Sequence, residues 1–402
     1  MNQTDKAQGI PIWLLALTMG AGTVGNYIVS PALSPITEYF GVDEASSQAI
    51  LTGFFIPMAL FPLVFGSLSD RYGRRYPLLF GLAVMTVGGL IAATAESFDI
   101  LIIARFLQGL GAASVSVIII PVINDSYSYV EAPKILAKVN VIRMIVPFFS
   151  FAFGGLIAEI FGWRGNMILI FLAGLVSLIF THIFLKETNL RPLQKINLVS
   201  LARNYLCLLT NRTCLLLMLA VSFMIGIWLT MLGFVPFEYQ RMGVDSAEVG
   251  FWFMTVPFGY TLGNYFTQKF VHKFGIENLC QIGAWLSLLI IITFLLPSIL
   301  DWNHPMLIGI PCLIFGFSSA LLLSTANMGA VAAAGELGGS ASGLINSTQT
   351  LFGVIGGSLV VGIGGFENFE KGVFVLIGFA LLAVICSSLA KPFRADLSSS
   401  SP

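Results

Sequence analysis

About a dozen apolar runs, each close to twenty residues long and divided by short polar connections, limit this chain to very few folds. A helix needs about 20 mostly apolar residues to cross a bilayer. The runs fall at 11–33, 48–68, 76–95, 100–124, 139–160, 165–185, 213–236, 248–268, 277–297, 305–328, 338–363 and 371–390. Inside hydrocarbon every backbone N–H and C=O must be paired within the protein, which leaves only helices and closed barrels. Runs of this length predict helices. Charged residues make up only 10% of the 402 positions, against about 25% in soluble domains, so an ordinary water-soluble globule is excluded. The expected fold class is an all-α integral membrane protein with twelve transmembrane helices. The first run, 11–33, is about twice as long as a signal-peptide core and has no obvious small-residue cleavage site, so it is expected to remain as span 1.

The longest connection, 186–212, carries Lys186, Arg191, Lys195, Arg203 and Arg212 and separates two groups of six runs. The expected organisation is a tail at 1–10, a six-helix bundle at 11–185, a central loop at 186–212, a second six-helix bundle at 213–390 and a tail at 391–402. Lysine and arginine concentrate in short cytoplasmic loops. With the N-terminus inside, most of the 20 basic residues fall on that side, whereas the outer loops hold only Arg164, Arg241 and Lys371. Both termini are therefore expected in the cytoplasm. A weak internal repeat relates the halves: the connection after span 8, from Gly263 through Lys269, His272 and Lys273 to Gly275, sits where the stretch 66–75 sits in the first half.

That stretch reads GSLSDRYGRR, one acid and three arginines in ten residues, and is expected to be a loop between two buried segments. Gly66 and Gly73 permit close helix approach and left-handed backbone. Asp70, at the end of span 2, suits the positive N-terminal end of another helix. The form G-x-L-x-D-R-x-G-R-R resembles the signature between spans 2 and 3 of the major facilitator superfamily of transporters. The resemblance implies the major facilitator fold, two pseudo-symmetric six-helix bundles with a midplane site, and a bacterial inner-membrane location. It casts Gly66, Asp70, Arg71, Gly73, Arg74 and Arg75 as a cytoplasmic gate, with the start of span 11 at Gly338, Gly339 and Ser340 as the partner of Asp70. The alternative is that the arginines only set topology.

Three further spans carry candidate site residues. Span 4 reads RFLQGLGAA, which puts Arg105, Gln108, Gly109, Ala112 and Ser116 on one helical face. An arginine inside a membrane costs about 2.5–3.5 kcal/mol on insertion scales and faces a bundle interior or wet cavity, unless it snorkels to the surface. R-x-x-Q-G-x-G is similar to the span 4 motif of drug:proton antiporters, which implies a part in proton transfer. In span 5, Pro147 removes a helix hydrogen bond and Gly154 and Gly155 permit close packing. Val146-Pro147 with Gly154-Gly155 matches the span 5 pattern of those antiporters only in part, and Arg143 lies outside that pattern, either toward a cavity or snorkelling toward Lys138. Span 11 places Asn346 and Gln349 in an apolar helix that also carries Gly353 and Gly357 as G-x-x-x-G. It resembles the same span of the bicyclomycin and chloramphenicol resistance branch, and tight helix packing accounts for its glycines.

One absence sharpens the substrate expectation. Many drug:proton antiporters have a carboxylate in span 1, where this chain has Asn26 and Tyr27, and no acid falls near the middle of any span. The candidate substrate-binding set is Asn26, Arg105, Gln108, Arg143, Asn346 and Gln349. The resemblance implies a secondary transporter that exports small amphipathic molecules in exchange for protons. The two intramembrane arginines favour instead an anionic or neutral metabolite, such as a carboxylate siderophore, by Coulomb attraction at low dielectric. Proton coupling would then fall to Asp125, His182 or the substrate itself. His182 also fits an ordinary interfacial histidine. No enzyme is expected, because the three histidines are scattered and no cluster of histidine, cysteine or acid is visible. No cofactor, metal or nucleic-acid partner is expected. The expected partners are a small-molecule substrate, protons and the lipid bilayer, with the chain acting as a monomer.

Overall fold

A computed structural model describes residues 10–128, 130–189, 198–300 and 302–399, and their side chains except at 142–144, 198–202, 336 and 391–399. The helices are α1 (Ile12–Tyr27), α2 (Leu33–Phe40), α3 (Gln48–Tyr72), α4 (Arg75–Ala93), α5 (Phe98–Ser126), α6 (Ala132–Phe161), α7 (Trp163–Phe184), α8 (Leu198–Thr210), α9 (Arg212–Arg241), α10 (Ser246–Phe274), α11 (Ile276–Ile292), α12 (Leu296–Leu300), α13 (Met306–Ala333), α14 (Gly338–Gly362) and α15 (Phe369–Ser399). No strand occurs among the described residues. Among the described residues, eleven helical segments are long and apolar enough to cross a membrane. The helix α10, on which the expected span 8 falls, has 29 residues and a length of about 43 Å at 1.5 Å per residue. It is not among the eleven, because its most apolar stretch, 249–266, is diluted by Thr255, Pro257, Gly259, Tyr260, Gly263 and Asn264.

Several helices outrun their apolar cores. After α1 a tight turn at Ser30–Ala32, with Pro31 in its first positions, leads into α2, and the segment stops only at Gly41 with φ 63°. The stretch 66–75, expected as a loop, is mostly helical: α3 runs through Tyr72, Gly73 takes φ 90°, and α4 starts at Arg75. Polar side chains beyond the bilayer are hydrated without breaking the helix, so hydropathy ends before the helix does. The connection 186–212 likewise contains α8, and its residues 190–197 lie outside the described ones.

The chain divides into two compact units, one of residues 1–42 and 49–196 and one of 43–48 and 197–402. In the first, α4 packs between α5 and α7. A Cβ at Gly81 would overlap Ser114, and one at Gly88 would lie 2.9 Å from the Ala104 carbonyl, so small residues let the helices meet at the backbone. Leu14, Phe65, Leu78, Ile118 and Val122 fill the core beneath. In the second unit α10 and α13 meet in the same way, with Gly259 against Leu313 and Gly316 against Val256. There α14 and α15 flank α9. Gly275, with φ 77°, separates α10 from α11 much as Gly73 separates α3 from α4.

Candidate functional site

At the α3–α4 corner of the first unit, Arg74 collects the charges. Its guanidinium pairs with the Asp70 carboxylate, donates to Asp125 Oδ2 through Nε at 3.1 Å, and donates to Ser69 Oγ at 2.8 Å. Asp70 is thus held one helical turn from its partner, and its backbone carbonyl accepts from Asn189 Nδ2 at 3.1 Å. Arg75 Nη2 donates to the His182 carbonyl at 2.9 Å. Arg71 is exposed and lies over the Tyr72 ring at 5.0 Å.

Glu187, just past α7, completes this corner. Its carboxylate accepts from the backbone N–H of Arg74 (2.7 Å), Arg75 (3.1 Å), Thr188 (3.0 Å) and Asn189 (2.9 Å). An anion at the start of α4 satisfies orphan N–H groups and the positive end of the helix dipole. Gly73 matters here twice, since its backbone is left-handed and a Cβ would overlap the Glu187 carboxylate. Gly66, by contrast, is ordinary helix, where a Cβ would make a 3.5 Å contact with Val117. Sequence reasoning missed Glu187 and Asn189. The available signal was an acid directly after a span, in an otherwise basic connection.

Arg105 is fully buried in α5. Each guanidinium nitrogen donates to protein: Nε to the Ile50 carbonyl of α3 at 3.2 Å, Nη2 to the Gly25 carbonyl of α1 at 3.0 Å, and Nη1 to Gln108 Oε1 at 2.6 Å. The Phe54 ring covers it at 4.4 Å. Gln108 Nε2 in turn donates to the Gly88 carbonyl at 3.4 Å. The snorkelling alternative is therefore incorrect, because the guanidinium bonds to carbonyls of two other helices instead of reaching for the surface. Gly109 serves this arrangement by letting α5 touch the Phe54 carbonyl of α3.

Asn26, next to Gly25, is buried, and its Oδ1 has no hydrogen-bond partner among the described residues. The Arg143 side chain lies outside the described residues. Pro147 lies inside α6, and Gly155 is buried. Gly154 sits 2.9 Å, measured from a notional Cβ, from the Ile28 side chain. The same junction holds Asn166 of α7, which sequence reasoning missed: its Nδ2 donates to the Ile28 and Gly154 carbonyls, each at 3.0 Å.

In the second unit, Gln349 of α14 donates through Nε2 to Asn327 Oδ1 of α13 at 3.5 Å. Ser324, one turn before Asn327, donates to Asn264 Oδ1 of α10 at 2.6 Å. Asn346 is exposed. Gly353 and Gly357 serve packing, the first against Leu229 of α9 and the second against the Gln48 side chain. In the same unit Arg241 pairs with Glu44 and, at 3.1 Å, with Glu238. Burial pushes the Glu44 carboxyl above its ordinary value, against the pull of Arg241. Among the described residues no cluster of histidine, cysteine and acid is suited to a metal ion.

Comparison with known proteins places this geometry. The sequence profile of the Major Facilitator Superfamily matches residues 15–357. The Bicyclomycin resistance protein homolog of Haemophilus influenzae is 27% identical over 366 residues, covering 90% of each chain. The Chloramphenicol resistance protein CraA of Acinetobacter baumannii is 24% identical over 378 residues, covering 90% of this chain and 87% of that one. Among solved structures, the POT family transporter PepTSo superposes with a TM-score of 0.76 at 13% identity, over 97% of this chain and 98% of that one, which is a likeness of fold.

Proposed function

Because the chain belongs to the Major Facilitator Superfamily of membrane transporters, we propose that it is a secondary transporter that exports small amphipathic molecules by alternating access, with protons as the coupling ion. The observation that carries this reading is the likeness to bicyclomycin and chloramphenicol resistance proteins over about nine-tenths of the chain. The geometry around Arg105 bears on the cargo. Arg105 is fully buried and each of its three nitrogens already donates once to a protein group, which leaves two of its five N–H without such a bond but no exposed face for an anionic cargo. The carboxylate-siderophore reading keeps Arg143 and the missing span 1 acid but loses the support of Arg105, and a neutral or weakly charged amphipathic cargo is favoured. Asp70, Arg74 and Asp125, braced by Glu187, form a charged corner suited to the cytoplasmic gate. With most basic residues at the helix ends on that side, both termini lie in the cytoplasm of a bacterial inner membrane, and the chain acts as a monomer in the bilayer.

The test is uptake of radiolabelled chloramphenicol into proteoliposomes holding the purified protein, with the pH gradient imposed in either direction. Accumulation is expected to follow the gradient and to collapse with a protonophore. Accumulation indifferent to the gradient would overturn proton coupling, and preferential movement of a small carboxylate would return the anionic reading.

A further inference from the structure

Within the second unit, the helices α10, α13 and α14 bring uncharged polar side chains together near the ends that lie on one side of the unit. Asn264 lies ten residues before the end of α10, Asn327 six before the end of α13, and Gln349 eleven after the start of α14. At 1.5 Å per residue these are about 15, 9 and 17 Å from helix ends that lie on one side of the unit. Asn264 and Gln349 thus fall inside their apolar runs, and Asn327 falls at the end of its run, 305–328. The contacts link them in a row: Asn264 to Ser324 at 2.6 Å, Ser324 to Asn327 by one turn of α13, and Asn327 to Gln349 at 3.5 Å.

The two ends of this row differ. Asn264 is committed, because its Nδ2 donates to the Tyr260 carbonyl of its own helix at 3.0 Å while its Oδ1 accepts from Ser324. Asn327 and Gln349 share one bond at the outer limit of hydrogen-bond distance. No hydrogen bond of the Asn327 Nδ2 or of the Gln349 Oε1 occurs among the described residues, and both residues are only half-buried. An amide facing lipid without partners costs several kcal/mol, so this face meets water or a ligand. It offers one N–H donor beside one carbonyl acceptor, and none of its members carries a charge.

We propose that Asn327 and Gln349, backed by Asn264 and Ser324 and bordered by the exposed Asn346, form a binding subsite for an uncharged molecule bearing an amide or hydroxyl. Such a group donates to Gln349 Oε1 and accepts from Asn327 Nδ2, closing the pair that is stretched in the free protein. This assignment rests on the transporter reading for its purpose, but binding at equilibrium tests it separately. A site built to hydrogen-bond its ligand discriminates strongly against one that lacks the groups. A permanent, purely apolar cation gains nothing there.

The experiment measures equilibrium binding of radiolabelled chloramphenicol, which is neutral and carries an amide and hydroxyls, and of tetraphenylphosphonium to the detergent-purified full chain. In Asn327→Val/Gln349→Leu the chloramphenicol affinity is expected to fall about tenfold or more, with tetraphenylphosphonium binding unchanged. Unchanged chloramphenicol affinity, or equal loss for both probes, overturns the subsite. Asn327→Asp keeps the shape and adds a negative charge, so it carries the test if the double variant does not fold. It is expected to weaken chloramphenicol binding and to strengthen tetraphenylphosphonium binding about tenfold, and no change in either rejects the proposal. Wild-type binding of chloramphenicol without gradient-driven movement in proteoliposomes would sink the exporter reading and leave the subsite standing. Gradient-driven movement with unaltered binding in both variants would do the reverse.

Discussion

The first unit encloses the charged side chain of Arg105, and the second leaves the amides of Asn327 and Gln349 partly open. Arg105 carries a full charge at membrane depth, yet carbonyls of α1 and α3, Gln108 and the Phe54 face surround it, and no solvent reaches it. The amides of α13 and α14 carry no charge, are half-exposed, and share a single stretched bond. In an apolar medium a fully buried polar group bonded to several helices acts as scaffold, whereas a partly exposed amide with an unused donor or acceptor can meet water or a ligand. The two regions thus differ in how much hydrogen-bonding capacity they leave open, which is the feature the proposed subsite rests on.

The contrast can be broken most directly at Arg105. Arg105→Ala strands the carbonyls of Gly25 and Ile50 and one end of Gln108, and is expected to cost on the order of 3–5 kcal/mol. The loss should appear as a fall in melting temperature and in the monodisperse fraction on size exclusion. A stable Arg105→Ala protein that has lost only chloramphenicol binding would invert the comparison and make Arg105 a site. The Asn327→Val/Gln349→Leu variant, for its part, is expected to change melting by no more than about 0.6 kcal/mol, the mean for hydrogen bonds between membrane helices.

Acids repeat the same contrast on a smaller scale. Glu187 is committed to four backbone N–H groups. Glu187→Gln is expected to lose about 1 kcal/mol, since a charge-assisted cap at a helix start becomes a neutral one. Thermal melting at low and high salt checks this, and equal stability in both would show that α4 does not need the charge.

Glu44 is the half-open counterpart. Its carboxyl sits above the ordinary value because burial outweighs the attraction of Arg241. The folded protein thus binds this proton more tightly than the unfolded chain. The group's contribution is most favourable below the unfolded value of 4.5 and is lost as pH rises through the raised value. Glu44→Gln should therefore melt slightly higher than wild type near pH 7.5, with the difference shrinking on acidification and vanishing below the unfolded value. Lower melting of Glu44→Gln at pH 7.5 would mean that the ion pair dominates.

The sequence by itself determined the membrane environment, the helical class, the approximate place of the eleven spans found among the described residues, and the family through the stretch 66–75. These are properties of composition and local pattern, and hydropathy reads the solvent that each segment needs. It also singled out Arg105, Asn346 and Gln349 as polar residues that an apolar helix must justify. Only the tertiary structure decided what justifies them. The acceptors of Arg105 come from residues 80 and 55 positions away in the chain, and Asn327 meets Gln349 across two helices. The carboxylate that secures the α3–α4 corner comes from 113 residues downstream. No periodicity encodes such partners, because they are set by which helix faces meet. Whether a buried polar group is spent on the fold or kept for a ligand depends on that meeting.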